Sequence, residues 1–199
     1  MYTKKWIVNE TDDNKVRKLM NELKVPSLVA KVLAARGVCG KEDGEKYLTC
    51  DSKVLYDPFL LKDMDKAVER IKKAIDNKEK VCIYGDYDVD GITSTIILYK
   101  FLSEKGVECT YFIPERIQDG YGLSAGALER LAGDFSLIIT VDTGITAVEE
   151  AKLAKSLGMD MVITDHHKYG DEIPDAVAVV NPHRPDCEYP FKNLAGVGV

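Results

Sequence analysis

Between Val81 and Val180 the chain alternates short apolar runs with longer segments of helical periodicity. The runs are "VCIY", "ECTYFI", "LIITV", "MVIT" and "AVAVV", and between them lie "TSTIILYKFLSEKG", "SAGALERLAG" and "TAVEEAKLAKSLG". Strands that are apolar throughout, rather than at alternate positions, are covered on both faces, and intervening helices join them in parallel. The pattern therefore predicts an α/β fold: a doubly wound, mostly parallel five-stranded sheet with helices on both faces. Ahead of the first strand, "DMDKAVERIKKAIDN" aligns Met64, Val68, Ile71 and Ile75 on one helical face. The segment from Thr146 carries a capping box, Thr146 with Glu149, and a closing glycine, Gly158.

Residues 1–60 read as a small N-terminal helical lobe and residues 61–199 as the α/β domain. In the lobe, "SLVAKVLAARG" offers Ser27 as an N-cap and Gly37 as a stop. A second short helix is expected from Glu42 to Leu48, and Trp6 reads as a packing residue. An apolar content of 45% suffices for a core. No apolar run approaches the roughly 20 residues that span a bilayer, and the N-terminus lacks a signal-peptide core. The five cysteines are scattered and never form a CxxC pair, which argues against a disulfide framework or a zinc site and suits a reducing cytoplasm. Lysine and arginine total 27 against 33 acidic residues. A broad grip on nucleic acid needs the opposite balance, so any such grip must come from a local groove, bound metal or further chain.

In an open parallel sheet, ligands bind beyond the carboxyl ends of the strands, where strand order reverses. The first run is followed by Asp86, Asp88 and Asp90, the third by Asp142, and the fourth by Asp165, His166 and His167. The second leads into "PERIQDGYGLS", which carries Arg116. With a spatial order of 2-1-3-4-5 the first, third and fourth strands are neighbours, and four or five carboxylates and two imidazoles share one cleft. Two unit charges about 4 Å apart repel by roughly 4 kcal/mol at an effective dielectric near 20. Divalent cations offset that repulsion. Mixed carboxylate and imidazole donors suit manganese, with magnesium or zinc as alternatives. Two ions about 3.5–4 Å apart form the clamp of phosphoester hydrolysis, and Asp142 is the best-placed bridge. Each motif alone has a plainer reading, DxD as a solvated turn or helix cap and paired histidines as surface residues; their coincidence at three strand ends favours metal. His183 in "NPHRPD" falls outside the pattern. The glycines of "LAGVGV" offer phosphate an approach to backbone, on the weak signal of two residues.

These residues resemble the DHH phosphoesterase family, named for the triplet Asp165-His166-His167. Beyond DxD and DHH, the stretches "LAARG", "DMDKAVERI", "IYGDYDVDGITS", "IPERIQDGYGLS", "VDTGI" and "NPHRPDCEYPFKNLAGVGV" are similar to one branch of that family, bacterial 5′→3′ exonucleases specific for single-stranded DNA. The resemblance implies metal-dependent phosphodiester hydrolysis in DNA recombination and repair, with two divalent cations, Mn2+ or Mg2+. It implies that Asp88, Asp90, Asp142 and His166 bind the metals and that Asp86 lies among or beside them. His167 is implied to face the scissile phosphate and Arg116 to contact a phosphate, so that His167, Asp86 and Arg116 are the candidate catalytic residues. The implied partners are single-stranded DNA, a single-strand-binding protein and a helicase, with no membrane. Gln118-Asp119 and Ser124 stand where Glu and Asn are more usual. The resemblance also implies a fourth acidic motif, a linker helix and a second domain beyond Val199, so the 61–199 domain is expected to be incomplete at its C-terminus and the fragment to lack full activity.

Three other readings compete. "DVDGIT" resembles the nucleophile loop of haloacid dehalogenase-type phosphatases, but there the first aspartate directly follows the strand, whereas Asp88 lies four residues past Tyr84. Other DHH enzymes, acting on short oligonucleotides, cyclic dinucleotides or pyrophosphate, share the metal motifs but lack "YPFKNLAGVGV" and the N-terminal lobe. A non-enzymatic scaffold of this type would show eroded ligands, and none is eroded here.

Overall fold

The computed structural model describes residues 10–49, 55–115 and 122–199. The chain divides into two compact units, Met1–Leu55 and Tyr56–Val199. In the first, helices α1 (Asp13–Leu23), α2 (Ser27–Ala35) and α3 (Lys41–Leu48) bury Val16, Leu19, Ala30, Leu33, Ala34 and Val38 together. Ser27 is the first helical residue of α2 and not its cap; Pro26 takes the cap position, without a side-chain hydrogen bond. With φ fixed near −61° and ψ at 154°, Pro26 supplies the extended entry that the serine was expected to provide. Gly37, at φ 88°, follows α2 as expected. Trp6 lies outside the described residues.

The second unit runs α4 (Met64–Asp76), β1 (Val81–Gly85), α5 (Val89–Glu104), β2 (Cys109–Phe112), α6 (Ala125–Leu131), β3 (Leu137–Val141), α7 (Val148–Ser156), β4 (Asp160–Thr164) and β5 (Ala178–Val180). The sheet order is β2-β1-β3-β4-β5 and every pairing is parallel. Because successive side chains on a strand point to opposite faces, each strand feeds two cores. On one face Val81, Ile83, Leu137, Ile139 and Val162 pack with Ala67 and Ala74 of α4 and Leu102 of α5. On the other, Cys82, Tyr84, Ile138, Met161 and Ile163 pack with Ala127 and Leu128 of α6 and Ala151 and Ala154 of α7. Met64, Ile71 and Ile75 lie against the first core as their spacing predicts, whereas Val68 does not join it and Ala67 and Ala74 are buried there instead. Burying Cys82 among these side chains pushes its thiol up to about 12.

The capping box at Thr146 does not form. The helix begins at Val148 with Ala147 as its cap and no side-chain hydrogen bond there. Residues 144–148 instead make a tight turn, with the Ala147 amide on Gly144 O and the Val148 amide on Thr146 O, both at 3.0 Å. Gly158 closes α7 at φ 79° as expected. Two buried arginines tie loops to this frame. Arg70 of α4 meets Glu79 and Asp160, each at 2.6 Å, and Arg184 meets Asp63 at 2.6 Å and Asp186 at 2.7 Å. Among the described residues no helix is long and apolar enough to cross a membrane.

Candidate metal centre

Strand register builds the site. Gly85 pairs with Val141 and Val141 with Thr164, so the next residue on each strand falls in one row across the reversal of strand order. Those residues are Asp86, Asp142 and Asp165, with relative exposures of 3%, 1% and 2%. Three carboxylates are thus withdrawn from water side by side, an arrangement that needs donors or cations to stand. The strand ends are pinned by hydroxyls: Thr164 Oγ1 donates to Thr140 O at 2.8 Å and Thr140 Oγ1 to Thr143 O at 2.7 Å.

The three carboxylates meet this demand differently. Asp165 is saturated. Its Oδ1 accepts from the His166 and His167 amides (2.7 and 3.0 Å) and from His167 Nδ1 (2.8 Å), and its Oδ2 from the Ile145 amide (2.9 Å). It shapes the turn that presents both imidazoles, and by engaging Ile145 it also fixes the turn that displaces the start of α7. Asp86 Oδ1 accepts from the Tyr87 amide at 2.7 Å; burial, with the nearby Asp88 charge, raises its pKa. Asp142 has nothing. Both of its oxygens are buried without a hydrogen-bond partner among the described residues. His166 Nε2 lies 3.1 Å from Asp142 Oδ1, but out of alignment for a hydrogen bond. Burial, and then the charges of Asp90 and Asp88, push the Asp142 carboxyl up to about 7. Its backbone sits at φ 59°, a left-handed conformation rare outside glycine.

Asp88 and Asp90 belong to the start of α5. Asp88 is its N-cap, accepting from the Asp90 amide at 2.9 Å and the Gly91 amide at 3.0 Å, so the helix-cap reading of DxD is realised in this residue. The positive end of the helix dipole favours both carboxylates. Asp90, in the first turn, accepts from the backbone of the 196–198 turn: Gly196 N on Oδ2 at 2.7 Å and Val197 N on Oδ1 at 2.8 Å. His166 points Nε2 to within 3.7 Å of Asp90 Oδ2.

The ligand atoms fall into two overlapping groups, Asp86-Asp88-Asp142 and Asp142-His166-His167, each within 4.8 Å. Asp142 is common to both. An aspartate with two partnerless buried oxygens, between one carboxylate set and one mixed with imidazole, fits divalent cations on its donor chemistry. His167, a member of the second group, holds its ring 4.6 Å from that of His166. Burial would lower its pKa, but the Asp165 hydrogen bond and charge, reinforced by Asp142 and Asp86, raise it on balance. Beside it opens a cavity of about 310 Å³ lined by Leu123, Thr143, Gly144, Glu150 and His167.

Of the sequence candidates, Asp86, Asp88, Asp90, Asp142, His166 and His167 come together here. Arg116, Gln118 and Asp119 lie outside the described residues. Ser124 caps α6 by accepting from the Ala127 amide at 3.2 Å. His183 stands in a loop, its amide on Asn181 Oδ1 at 2.7 Å. Two participants have other roles here than the sequence reading gave them. Asp165 organises the turn, and the glycine-containing end of the chain contacts Asp90 instead of offering its amides to phosphate. The glycine pair was the single signal for the second.

Residues 80–199 match the DHH family, N-terminal domain. The chain is 47% identical to the single-stranded-DNA-specific exonuclease RecJ of Bacillus subtilis over 196 residues, covering 98% of this chain and 25% of that protein. It is 37% identical to the Escherichia coli protein of the same name, covering 88% of this chain and 30% of the relative. Among solved structures it is similar to exonuclease RecJ bound to manganese, with a TM-score of 0.65 and 32% identity over 73% of this chain and 37% of that one. It is also similar to RecJ in complex with Mn2+ from Thermus thermophilus, with a TM-score of 0.67 and 28% identity over 94% of this chain and 26% of that one. The chain spans about a quarter of the length of the Bacillus relative.

Proposed function

The chain belongs to the DHH family, and on that premise we propose that it supplies the metal-binding cleft of a nuclease that hydrolyses single-stranded DNA from its 5′ end. The observation that carries the reading is Asp142: two buried oxygens with no donor, at the point shared by the two groups of ligand atoms. Asp88, Asp90, Asp142 and His166 would hold two divalent cations, Mn2+ or Mg2+, with Asp86 beside them. Such cations supply charge neutralisation at the phosphate and a water of lowered pKa, the chemistry of phosphodiester hydrolysis.

The chain's own groups then have separable tasks. Asp165 fixes the His167 ring through Nδ1, which leaves Nε2 for the substrate. A proton on Nε2 would make the ring a donor to a non-bridging phosphate oxygen as charge develops. Arg116 would add a guanidinium fork to a neighbouring phosphate. The cavity beside His167 gives room for part of a nucleotide. The specificity for single-stranded DNA in the relatives' names supports the substrate class; 5′→3′ polarity rests on the resemblance alone. A helicase that generates single strands and a single-strand-binding protein that holds them suit such an activity, in the cytoplasm.

The test is to give the protein that carries this chain single strands labelled at either end, with manganese or magnesium. Early release of the 5′-terminal mononucleotide, with blunt duplex untouched, is expected. Digestion from the 3′ end, or equal attack on duplex, would overturn the exonuclease assignment and leave a generic DHH phosphoesterase.

A further inference from the structure

Among the described residues the backbone of Leu194–Val197 makes three polar contacts with side chains, and all three fall on candidate metal ligands. Leu194 O lies 3.0 Å from His166 Nδ1, and the Gly196 and Val197 amides each bond a different oxygen of Asp90. We propose that this segment is a positioning clamp that sets the orientation of His166 and Asp90 for metal binding, a role that rests on the metal reading above.

The chemistry of each contact is specific. A carbonyl oxygen only accepts, so the contact to Leu194 O places a proton on His166 Nδ1 and turns Nε2 towards Asp142 and Asp90. The neutral ring with its proton on Nδ1 is the tautomer a ligand through Nε2 requires, and ligating histidines are generally held in this way by their other nitrogen. At Asp90 two consecutive amides grip one carboxylate. They hold its negative charge near those of Asp88 and Asp142, while each oxygen retains a lone pair for a cation. The clamp also needs a glycine. A Cβ on Gly196 would lie 2.6 Å from Asp142 Cγ and 2.8 Å from Asp142 Cβ, far inside van der Waals contact. Gly196 therefore lets the segment lie directly over the donorless carboxylate, and the three ligands are fixed relative to one another through one short stretch of chain.

The experiment removes one amide and keeps the rest. Val197 is 40% exposed, so Val197→Pro deletes the N–H to Asp90 with little other loss, and Val197→Ala keeps it. Manganese is titrated calorimetrically into wild type, Val197→Pro, Val197→Ala and Gly196→Ala, and each variant is melted in chelator to separate folding from binding. Wild type and Val197→Ala should bind alike, whereas Val197→Pro and Gly196→Ala should lose about tenfold or more in affinity. Val197→Pro binding as tightly as wild type overturns the clamp alone. Wild type taking up no manganese overturns the metal reading and the clamp with it. Should the proline variant fail to fold, the wild type decides: long-range nitrogen–proton spectra of the metal-free chain must show His166 protonated on Nδ1, and protonation on Nε2 alone overturns the proposal.

Discussion

Replacing Asp142 with asparagine should stabilise the metal-free protein above neutral pH while removing its response to metal. The Asp142 carboxyl rises from 3.8 to about 7 in the fold, roughly three pK units at about 1.4 kcal/mol each. A carboxyl whose folded pKa is raised keeps its proton in the native state where the unfolded chain has lost it. Stability is therefore lost progressively as pH climbs from 3.8 towards about 7 and stays low above that. The full loss from this group is about 4 kcal/mol. Asparagine carries no charge to lose, but its amide remains buried among acceptors and imperfectly partnered, at a cost of about 1–3 kcal/mol. The net gain near pH 8 is then about 2 kcal/mol, or about 4–8 °C in Tm for a chain of this size. Near pH 5 the wild-type carboxyl is protonated, and the gain should vanish or change sign. Circular-dichroism melts in chelator from about pH 5 to about pH 8.5 measure this, followed by melts with manganese. Manganese should raise the wild-type Tm and leave Asp142→Asn unmoved. Parallel pH profiles for the two proteins in chelator would refute the reasoning, because they would mean that Asp142 ionises in the fold without penalty.

Two further outcomes separate the roles of neighbouring residues. His167→Ala should keep manganese affinity yet lower the hydrolysis rate about a hundredfold or more, as loss of one transition-state donor does; a collapse in calorimetric affinity would instead move His167 among the ligands. Arg70→Ala strands Glu79 and Asp160 without their cation. It should cost about 2–3 kcal/mol in urea unfolding, below the value for a fully buried pair because Asp160 is half exposed, while manganese titration stays unchanged.

The alternation of apolar runs and helical segments determined the parallel sheet by itself, because burial on both faces is written locally in β1, β3, β4 and β5, and only the edge strand β2 stays partly open. The cleft followed from the same pattern. Once Gly85, Val141 and Thr164 are in register, Asp86, Asp142 and Asp165 must form a row, and their spacing after each strand was visible in the chain. What each carboxylate does was not. Asp165 and Asp142 occupy equivalent positions after their strands, yet one accepts four hydrogen bonds and the other none. That difference comes from the turns that pass over them, which the tertiary fold decides. The capping box at Thr146 failed for the same reason: the Ile145 amide is engaged by Asp165, 20 residues later in the chain, and a long-range bond to a buried charge outweighed a local preference. The clamp on Asp90 is more distant still, with partners 106 and 107 residues apart. Propensity and periodicity describe neighbours along the chain, whereas a backbone amide can meet any carboxylate that folding brings to it, and no local pattern records which.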